Sequence, residues 1–337
     1  MTMDLSKRIV LVLSVFMLAL PLFVGAQLNI DLSAALESEL NVEVIPTYPK
    51  PNTVVFIQLE MYSEDLDKAE ITWNQDNKIF VKGNGKKSYS FNSGPSGTET
   101  NIEVRVKLQS GKTFYKSMRI KPVGVDLIWQ SDSYVPPLYK GKALHPKQGN
   151  LRIVAMPDFR DGNGDVVAAE KLIYKWSDGT NVFDTQSGYG KNVLNIEGSL
   201  LGIANRVEVL VTNPNGIGTA SEIIDIGTVT PEIVFYEISP FYGPTLERAL
   251  PRSLEMSGEE IEVMAAPFYA SGINNNTTKL NWRLNNQRSV GLENSRTIVF
   301  RKPENSSGLS SIQLSIDNQS KFLQSTRGGL NINFKND

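Results

Sequence analysis

The chain of 337 residues has no cysteine, a single histidine and no cluster of basic residues. Without cysteine it has no disulfide framework, no thiolate ligand for a metal and no cysteine nucleophile. One histidine cannot form a histidine metal cluster. The formal net charge of −2 lacks the concentrated positive field on which nucleic-acid binding relies. These absences exclude several common classes of enzyme and argue against a nucleic-acid partner.

Catalytic motifs are missing as well, since the chain has neither a phosphate-binding Gly-x-x-x-x-Gly-Lys loop nor a Gly-x-Ser-x-Gly elbow. His145 precedes Pro146 in a lysine-rich loop, and we expect it to lie on the surface rather than to act as a base. Acidic residues are numerous, but no pair stands out, so a carboxylate-pair hydrolase is a minor alternative. The sequence therefore predicts a protein that is not an enzyme and has no cofactor.

The chain does contain one pattern written three times: an apolar strand, then a Trp, then an alternating strand about thirty residues after that Trp. The Trp residues are Trp73, Trp176 and Trp282, roughly 105 residues apart, which is the length of one β-sandwich domain. We expect each Trp to be a core residue, since aromatic side chains dominate sandwich cores. The pattern predicts an all-β chain of three tandem immunoglobulin-like β-sandwich modules. The first strands are residues 55–62, 152–159 and 262–269, and the alternating strands are 102–106, 207–211 and 312–316.

The N-terminus is typical of a secretory signal. Lys7 and Arg8 precede an apolar run over residues 9–24, and small residues before Gln27 predict cleavage after Ala26. The run is also nearly long enough for an uncleaved membrane anchor, which stays an alternative. The protein is therefore expected to be exported to the periplasm, the cell surface or the extracellular space.

These patterns divide the chain into an N-terminal segment and three modules. The junctions between modules are short, so adjacent modules are expected to touch. The predicted parts are a signal segment or anchor (1–26), a spacer (27–41), module 1 (42–122), module 2 (123–229) and module 3 (230–337).

Module 2 resembles bacterial PKD and related immunoglobulin-like repeats. The likeness rests on Tyr-Lys-Trp-Ser-Asp-Gly at 174–179 and on the strand and turn at 207–216. Modules 1 and 3 match more loosely, through 71–76 and 282–285, and the Asp-x-Gly-Asp-Gly turn of a typical PKD repeat is absent from all three. The resemblance implies a surface array that serves as a spacer, an adhesion module or a partner-binding module.

A group of aromatic residues lies in the opening strands of modules 2 and 3 and just after them. These rings either form an exposed strip that contacts a partner or a glycan, or pack at the junction of two modules. Trp129 lies in the opening strand of module 2, and Tyr236 is taken as its counterpart in module 3. The candidate contact residues are Trp129, Tyr134, Tyr139, Tyr236, Phe241 and Tyr242.

A glycine-rich loop in module 2 carries three oxygen-bearing side chains at alternate positions, Asp161, Asn163 and Asp165. This spacing suits a hard cation such as Ca²⁺, but the loop lacks the distal Glu that completes an EF-hand. A polar turn is the favoured interpretation, and calcium binding is the alternative.

The signal, the repeats and the missing catalytic groups together predict an exported, non-enzymatic protein of the cell envelope or surface. It would act as a scaffold, a spacer or an adhesive binding module, with other envelope proteins or a surface polymer, glycan or protein, as partners. It would touch the membrane only through an uncleaved N-terminal segment. The alternative function is a carbohydrate-binding accessory protein that uses the aromatic strip of module 2.

Overall fold

The computed structural model describes residues 40–200, 204–216, 218–273, 277–304, 306–321 and 324–335. The predicted signal segment and most of the predicted spacer lie outside these ranges. Leu40 and Asn41, assigned to the spacer, are in fact the first residues of a strand, and Leu40 is buried in the core. In the described ranges, no helix has the length and apolar character needed to cross a membrane.

Module 1 is a sandwich of two antiparallel sheets with a shared core. The three-stranded sheet has the order β1-β2-β5, and the four-stranded sheet has the order β4-β3-β6-β7. The strands are β1 (Leu40–Ile45), β2 (Val54–Met61), β3 (Glu70–Gln75), β4 (Lys78–Asn84), β5 (Ser88–Asn92), β6 (Thr100–Lys107) and β7 (Thr113–Ile120).

Module 2 repeats this arrangement strand for strand. Its sheets have the orders β12-β9-β8 and β11-β10-β13-β14. The strands are β8 (Gly124–Ser131), β9 (Asn150–Asp158), β10 (Ile173–Ser177), β11 (Gly188–Tyr189), β12 (Val193–Glu197), β13 (Asn205–Thr212) and β14 (Thr219–Ile226).

Module 3 differs by a longer opening segment, which supplies strands to both sheets. Their orders are β16-β15-β18-β21 and β17-β23-β22-β19-β20, and β17 pairs with β23 in parallel. The strands are β15 (Glu232–Ser239), β16 (Gly243–Pro244), β17 (Ser253–Met256), β18 (Glu260–Phe268), β19 (Thr278–Leu284), β20 (Gln287–Arg288), β21 (Thr297–Arg301), β22 (Gly308–Asn318) and β23 (Ser325–Phe334).

The prediction that the repeated Trp is a core residue is confirmed in each module. Trp73 and Trp176 are 0% exposed and Trp282 is 1% exposed. Each indole N–H donates to a backbone carbonyl, at 2.8, 2.8 and 2.9 Å respectively, so the one polar atom of the ring is satisfied inside the core. The chain is therefore an all-β array of immunoglobulin-like sandwiches, each centred on a Trp.

The prediction that His145 lies on the surface is wrong, because its side chain is 0% exposed. Its carbonyl accepts a hydrogen bond from Val229 N at 2.9 Å, and Pro146 and Val229 form a bridge, so the loop is held against the link to module 3. Glycine at 198 makes room for the ring, since a Cβ there would lie 2.1 Å from Nε2. Desolvation lowers the pKa of His145 to about 4.

Candidate functional site at the junction of modules 2 and 3

Modules 2 and 3 are joined by backbone hydrogen bonds of the kind found between strands. Tyr134, three residues beyond β8, donates its N–H to the carbonyl of Ala270 at 2.9 Å, and its own carbonyl accepts from Tyr269 N at 2.7 Å. Such paired main-chain bonds fix both distance and orientation. The segment after β8 therefore extends the edge of module 3 as well as belonging to module 2.

An aromatic cluster fills the same junction. Tyr134 packs into a small apolar core with Tyr236 and Phe268 of module 3. The ring of Tyr139 meets Phe268 edge-on, with centroids 5.2 Å apart, and the Tyr139 and Tyr269 hydroxyls lie 3.0 Å apart. This hydrogen bond is the main cause that raises the pKa of Tyr269 to about 12. Of the two interpretations of the aromatic residues, Tyr134, Tyr139 and Tyr236 follow the junction-packing one.

Polar contacts from the far end of module 3 reinforce the junction. The Nζ of Lys321, whose side chain is 14% exposed, donates to the Gln148 carbonyl at 2.5 Å. Gln324 is buried, and its Nε2 donates to the Lys147 carbonyl at 2.7 Å. Buried polar atoms that are satisfied across an interface resist separation, because parting the modules would leave them without partners or return them to water.

Beside the cluster lies a groove of about 600 Å³ whose walls come from both modules. Module 2 contributes Asp132 and Tyr134, and module 3 contributes Leu246, Met264 and Arg296. The Arg296 guanidinium lies 5.2 Å from the centre of the Tyr134 ring. The volume is in the range of small-ligand sites, and apolar walls with one acidic and one basic group also suit an inserted side chain of a protein partner.

Phe241 and Tyr242 belong to a hairpin that reaches this groove through Pro244. They lie in the loop of the β15–β16 hairpin, between the paired residues Ser239 and Gly243, and Pro244 lines the groove. The φ angle of 74° at Gly243 is one that glycine adopts without strain, which suits the tight return of the chain. Phe241 is 89% and Tyr242 is 90% exposed, with ring centroids 6.4 Å apart. The hairpin therefore presents two large rings to solvent.

Trp129 does not join this cluster. It pairs with Ile153 on the inward face of β8 and is half-buried against the core of module 2. The ammonium of Lys142 lies 3.3 Å from the centre of its ring, and burial lowers the pKa of that lysine. The Trp129 face is thus already covered by a cation.

The pairing of Tyr236 with Trp129 as equivalent positions is wrong by one residue. Val125 pairs with Pro157 in module 2, and Ile233 pairs with Pro267 in module 3. Counted from these prolines, Tyr236 corresponds to Ile128, on the outward face. A shift of one residue along a strand moves a side chain to the opposite face, so Tyr236 points away from the module core and toward the junction.

The 161–165 loop is closed by its own hydrogen bonds. The Asp161 carboxylate accepts from the backbone N–H of Asn163 at 2.9 Å and of Asp165 at 3.0 Å. This is the geometry of an Asx turn. Among the residues that the structure describes, no group of three His, Cys, Asp or Glu side chains is placed to hold a metal. The polar turn therefore stays the favoured interpretation, and calcium binding at these three residues stays the untested alternative.

Three junction residues were missed by the sequence reasoning: Phe268, Tyr269 and Arg296. The first two form an adjacent aromatic pair directly after Pro267, at the end of a predicted strand, which is a signal for a contact at the end of a module. Nothing local marks Arg296, because its partner Tyr134 is distant in sequence.

No protein-family model matches the chain, and no curated protein matches it. Solved structures of similar fold include the three N-terminal domains of the outer capsid protein Hoc of bacteriophage RB49, at 11% identity over 88% of this chain and 98% of that chain, with a TM-score of 0.27. The chain resembles tandem immunoglobulin-like domains. Another similar structure is SGBP-B of Bacteroides ovatus in complex with a mixed-linkage heptasaccharide, at 10% identity over 88% and 70% of the two chains, with a TM-score of 0.21. The central fibronectin-III array of RIM-binding protein is 12% identical over 88% and 96%, with a TM-score of 0.28. These TM-scores are too low to carry an argument about function.

Proposed function

We propose that the chain is an exported, non-enzymatic binding scaffold of the cell envelope or cell surface. Modules 2 and 3 act as one unit with a fixed orientation. This unit presents the β15–β16 hairpin, with Phe241 and Tyr242, and the adjacent groove to a protein partner. The observation that carries this proposal is the pair Phe241 and Tyr242, almost fully exposed on a hairpin beside a groove that the junction holds in place.

Two adjacent exposed rings are unusual on a protein with no partner, because water solvates such apolar surface poorly. Aromatic residues are enriched at the centres of protein interfaces, where they fill pockets on the partner. A hairpin loop anchored by strand pairing loses little conformational freedom on binding, which favours affinity. These arguments support an adhesive or assembly role for module 3, with module 1 as the part nearest the N-terminal segment.

The finer parts of this proposal are the export route, the envelope partner and the relation to PKD-type repeats. They are supported by the N-terminal sequence pattern and by the likeness of 174–179 and 207–216 to PKD signatures. A spacer role is compatible with the same architecture, since the junction keeps the last two modules in a fixed orientation.

The alternative of a carbohydrate platform along module 2 is not favoured by the geometry. A sugar platform needs exposed ring faces, but Tyr236 is 7% exposed, Tyr134 packs in the junction core and Lys142 covers Trp129. Tyr139 is 40% exposed, but its ring contacts Phe268 across the junction and has no exposed aromatic neighbour in the described part of module 2 with which to form a platform.

The test is photo-crosslinking on intact cells of the source organism, with a photoreactive amino acid at position 241 and mass spectrometry of the products. The matched control carries the same probe at Tyr62 in module 1, which is 89% exposed. We expect a defined envelope or surface protein to be joined at 241 and not at 62. Equal, diffuse crosslinking at both positions, or a measured hydrolase activity of the purified chain, would contradict the proposal.

A further inference from the structure

A second depression, unrelated to the junction, lies on the outer face of the four-stranded sheet of module 1. Its volume is about 490 Å³, within the usual range of small-ligand sites. Strand pairing arranges its lining in two rows across β4, β3, β6 and β7. The first row is Lys82, Thr72, Arg105 and Tyr115, and the second row is Ile79, Asn74, Glu103 and Ser117.

The floor of this depression holds two polar atoms without partners. Thr72 is 6% exposed, and its hydroxyl oxygen has no hydrogen-bond partner; the amide oxygen of Asn74 is buried and unpaired as well. A buried polar atom left unsatisfied is destabilising, so such atoms are uncommon and each one calls for an explanation, of which a bound ligand is one. In the first row, Thr72 is flanked by Lys82 and Arg105. These side chains are long and can rotate aside to admit a ligand.

The remaining groups indicate the chemistry of that ligand. Tyr115 is 67% exposed and offers an apolar ring face next to its hydroxyl. Glu103 and Arg105 contribute one charge of each sign, and Lys82 is paired with Glu70 at 3.1 Å. Lys116 also lines the depression, but it pairs with the core residue Val104 and so projects from the other face of the sheet, which leaves the charges of the outer face nearly balanced. A hydroxyl and an amide oxygen on the floor, a carboxylate and a guanidinium beside them, and a ring at the edge together suit a ligand that both donates and accepts hydrogen bonds and has an apolar face.

We propose that this face of module 1 binds a neutral oligosaccharide. The sugar packs on the ring of Tyr115, and its hydroxyl groups pair with Thr72, Asn74, Glu103 and Arg105. Because Thr72 and Asn74 are short side chains on one strand and their oxygens are buried, the spacing of these two oxygens is fixed before the ligand arrives, which lowers the entropy cost of binding. This inference goes beyond the scaffold function and concerns a different module, so neither depends on the other.

The test is isothermal titration calorimetry of the full chain with soluble neutral oligomers of glucose, xylose, mannose and N-acetylglucosamine. We expect at least one oligomer to bind, and Tyr115→Ala to weaken that binding about tenfold or more. Thr72→Val should also weaken it several-fold while the melting temperature stays equal or rises, because the change removes a buried hydroxyl that has no partner. If Thr72 served only stability, its replacement would not weaken binding while leaving the melting temperature equal or higher.

Matched controls decide the location. Tyr189→Ala removes a ring of module 2 that is 63% exposed and should leave the affinity unchanged. The double variant Phe241→Ala with Tyr242→Ala should also bind normally, and a loss there would move the sugar site to the hairpin and overturn the inference. The inference also fails when no neutral oligomer binds, when only uronic acid oligomers bind, or when both module 1 variants bind like the wild type.

Discussion

The buried His145 predicts a loss of stability on mild acidification that a single residue can account for. It is the only histidine of the chain, and it lies against the link between modules 2 and 3. Both ring nitrogens lack a hydrogen-bond partner among the described residues. Desolvation lowers its pKa from 6.5 to about 4; Asp132 acts in the opposite direction, and Lys321 adds to the lowering.

The sign follows from proton linkage. Above pH 6.5 the imidazole is neutral in both the folded and the unfolded chain, so its contribution does not change with pH. Below pH 6.5 His145 binds a proton in the unfolded chain but not in the folded chain. The free energy of unfolding therefore falls until the pH reaches the folded pKa of about 4. At about 1.4 kcal/mol per pKa unit, the whole difference is worth about 3 kcal/mol, of which about 2 kcal/mol is lost by about pH 5.

The measurement is scanning calorimetry of the full chain between neutral pH and about pH 5, alongside the variant His145→Asn. Carboxylates of ordinary pKa titrate mainly below this window, so histidine dominates it. We expect the transition that contains module 2 to move down in temperature for the wild type and to be nearly flat for the variant, whatever its absolute stability. Equal slopes in the two proteins would show that His145 is accessible to protons in the fold, and would refute the argument.

Three further predictions follow from the core, the junction and the 161–165 loop. Trp176→Phe keeps an aromatic ring but leaves the bonded carbonyl unpaired, so urea unfolding should show a loss of about 2 kcal/mol, with a smaller loss for the half-buried control Trp129→Phe. Tyr139→Phe removes the bond that raises the pKa of Tyr269 to about 12, so ultraviolet titration should show one phenol shifting toward 10.0; an unchanged curve would speak against that bond. Calcium should leave the melting temperature unchanged, because backbone N–H groups already occupy an oxygen of the 161–165 loop; a clear rise would instead establish a cation site.

Much of the fold is encoded locally and was predictable. The alternation of buried and exposed residues along β6, and the Trp of each repeat, depend on the strand period and on residue size. The junction between modules 2 and 3 could not be predicted in this way, because it depends on contacts between residues that are distant in sequence. Tyr139 and Tyr269 meet across 130 residues. The ring of His145 lies against Gly198 and its carbonyl accepts from Val229, both well separated from it in sequence, so no short window of sequence contains the cause.

The sites divide in the same way. The exposed position of Phe241 and Tyr242 is what a proline-flanked hairpin loop suggests, whereas the shift of Tyr236 by one residue reversed the face on which it lies. The sugar-binding face of module 1 had a usable signal that was overlooked. Thr72 and Asn74 alternate with Trp73, so their outward direction follows once the Trp is placed in the core.

The parallel pairing of β17 with β23 covers part of one sheet edge of module 3. In modules 1 and 2 the corresponding strands, β7 and β14, are the outermost strands of their sheets in the described chain. Beside an outermost strand, a strand from another molecule can add, productively in assembly or harmfully in aggregation. In module 3 that place is occupied from Ser253 to Met256 by the chain's own segment. At this position in the sheet, a strand from another copy of the protein could add directly beside β7 or β14, whereas beside β23 it would first have to displace Ser253–Met256.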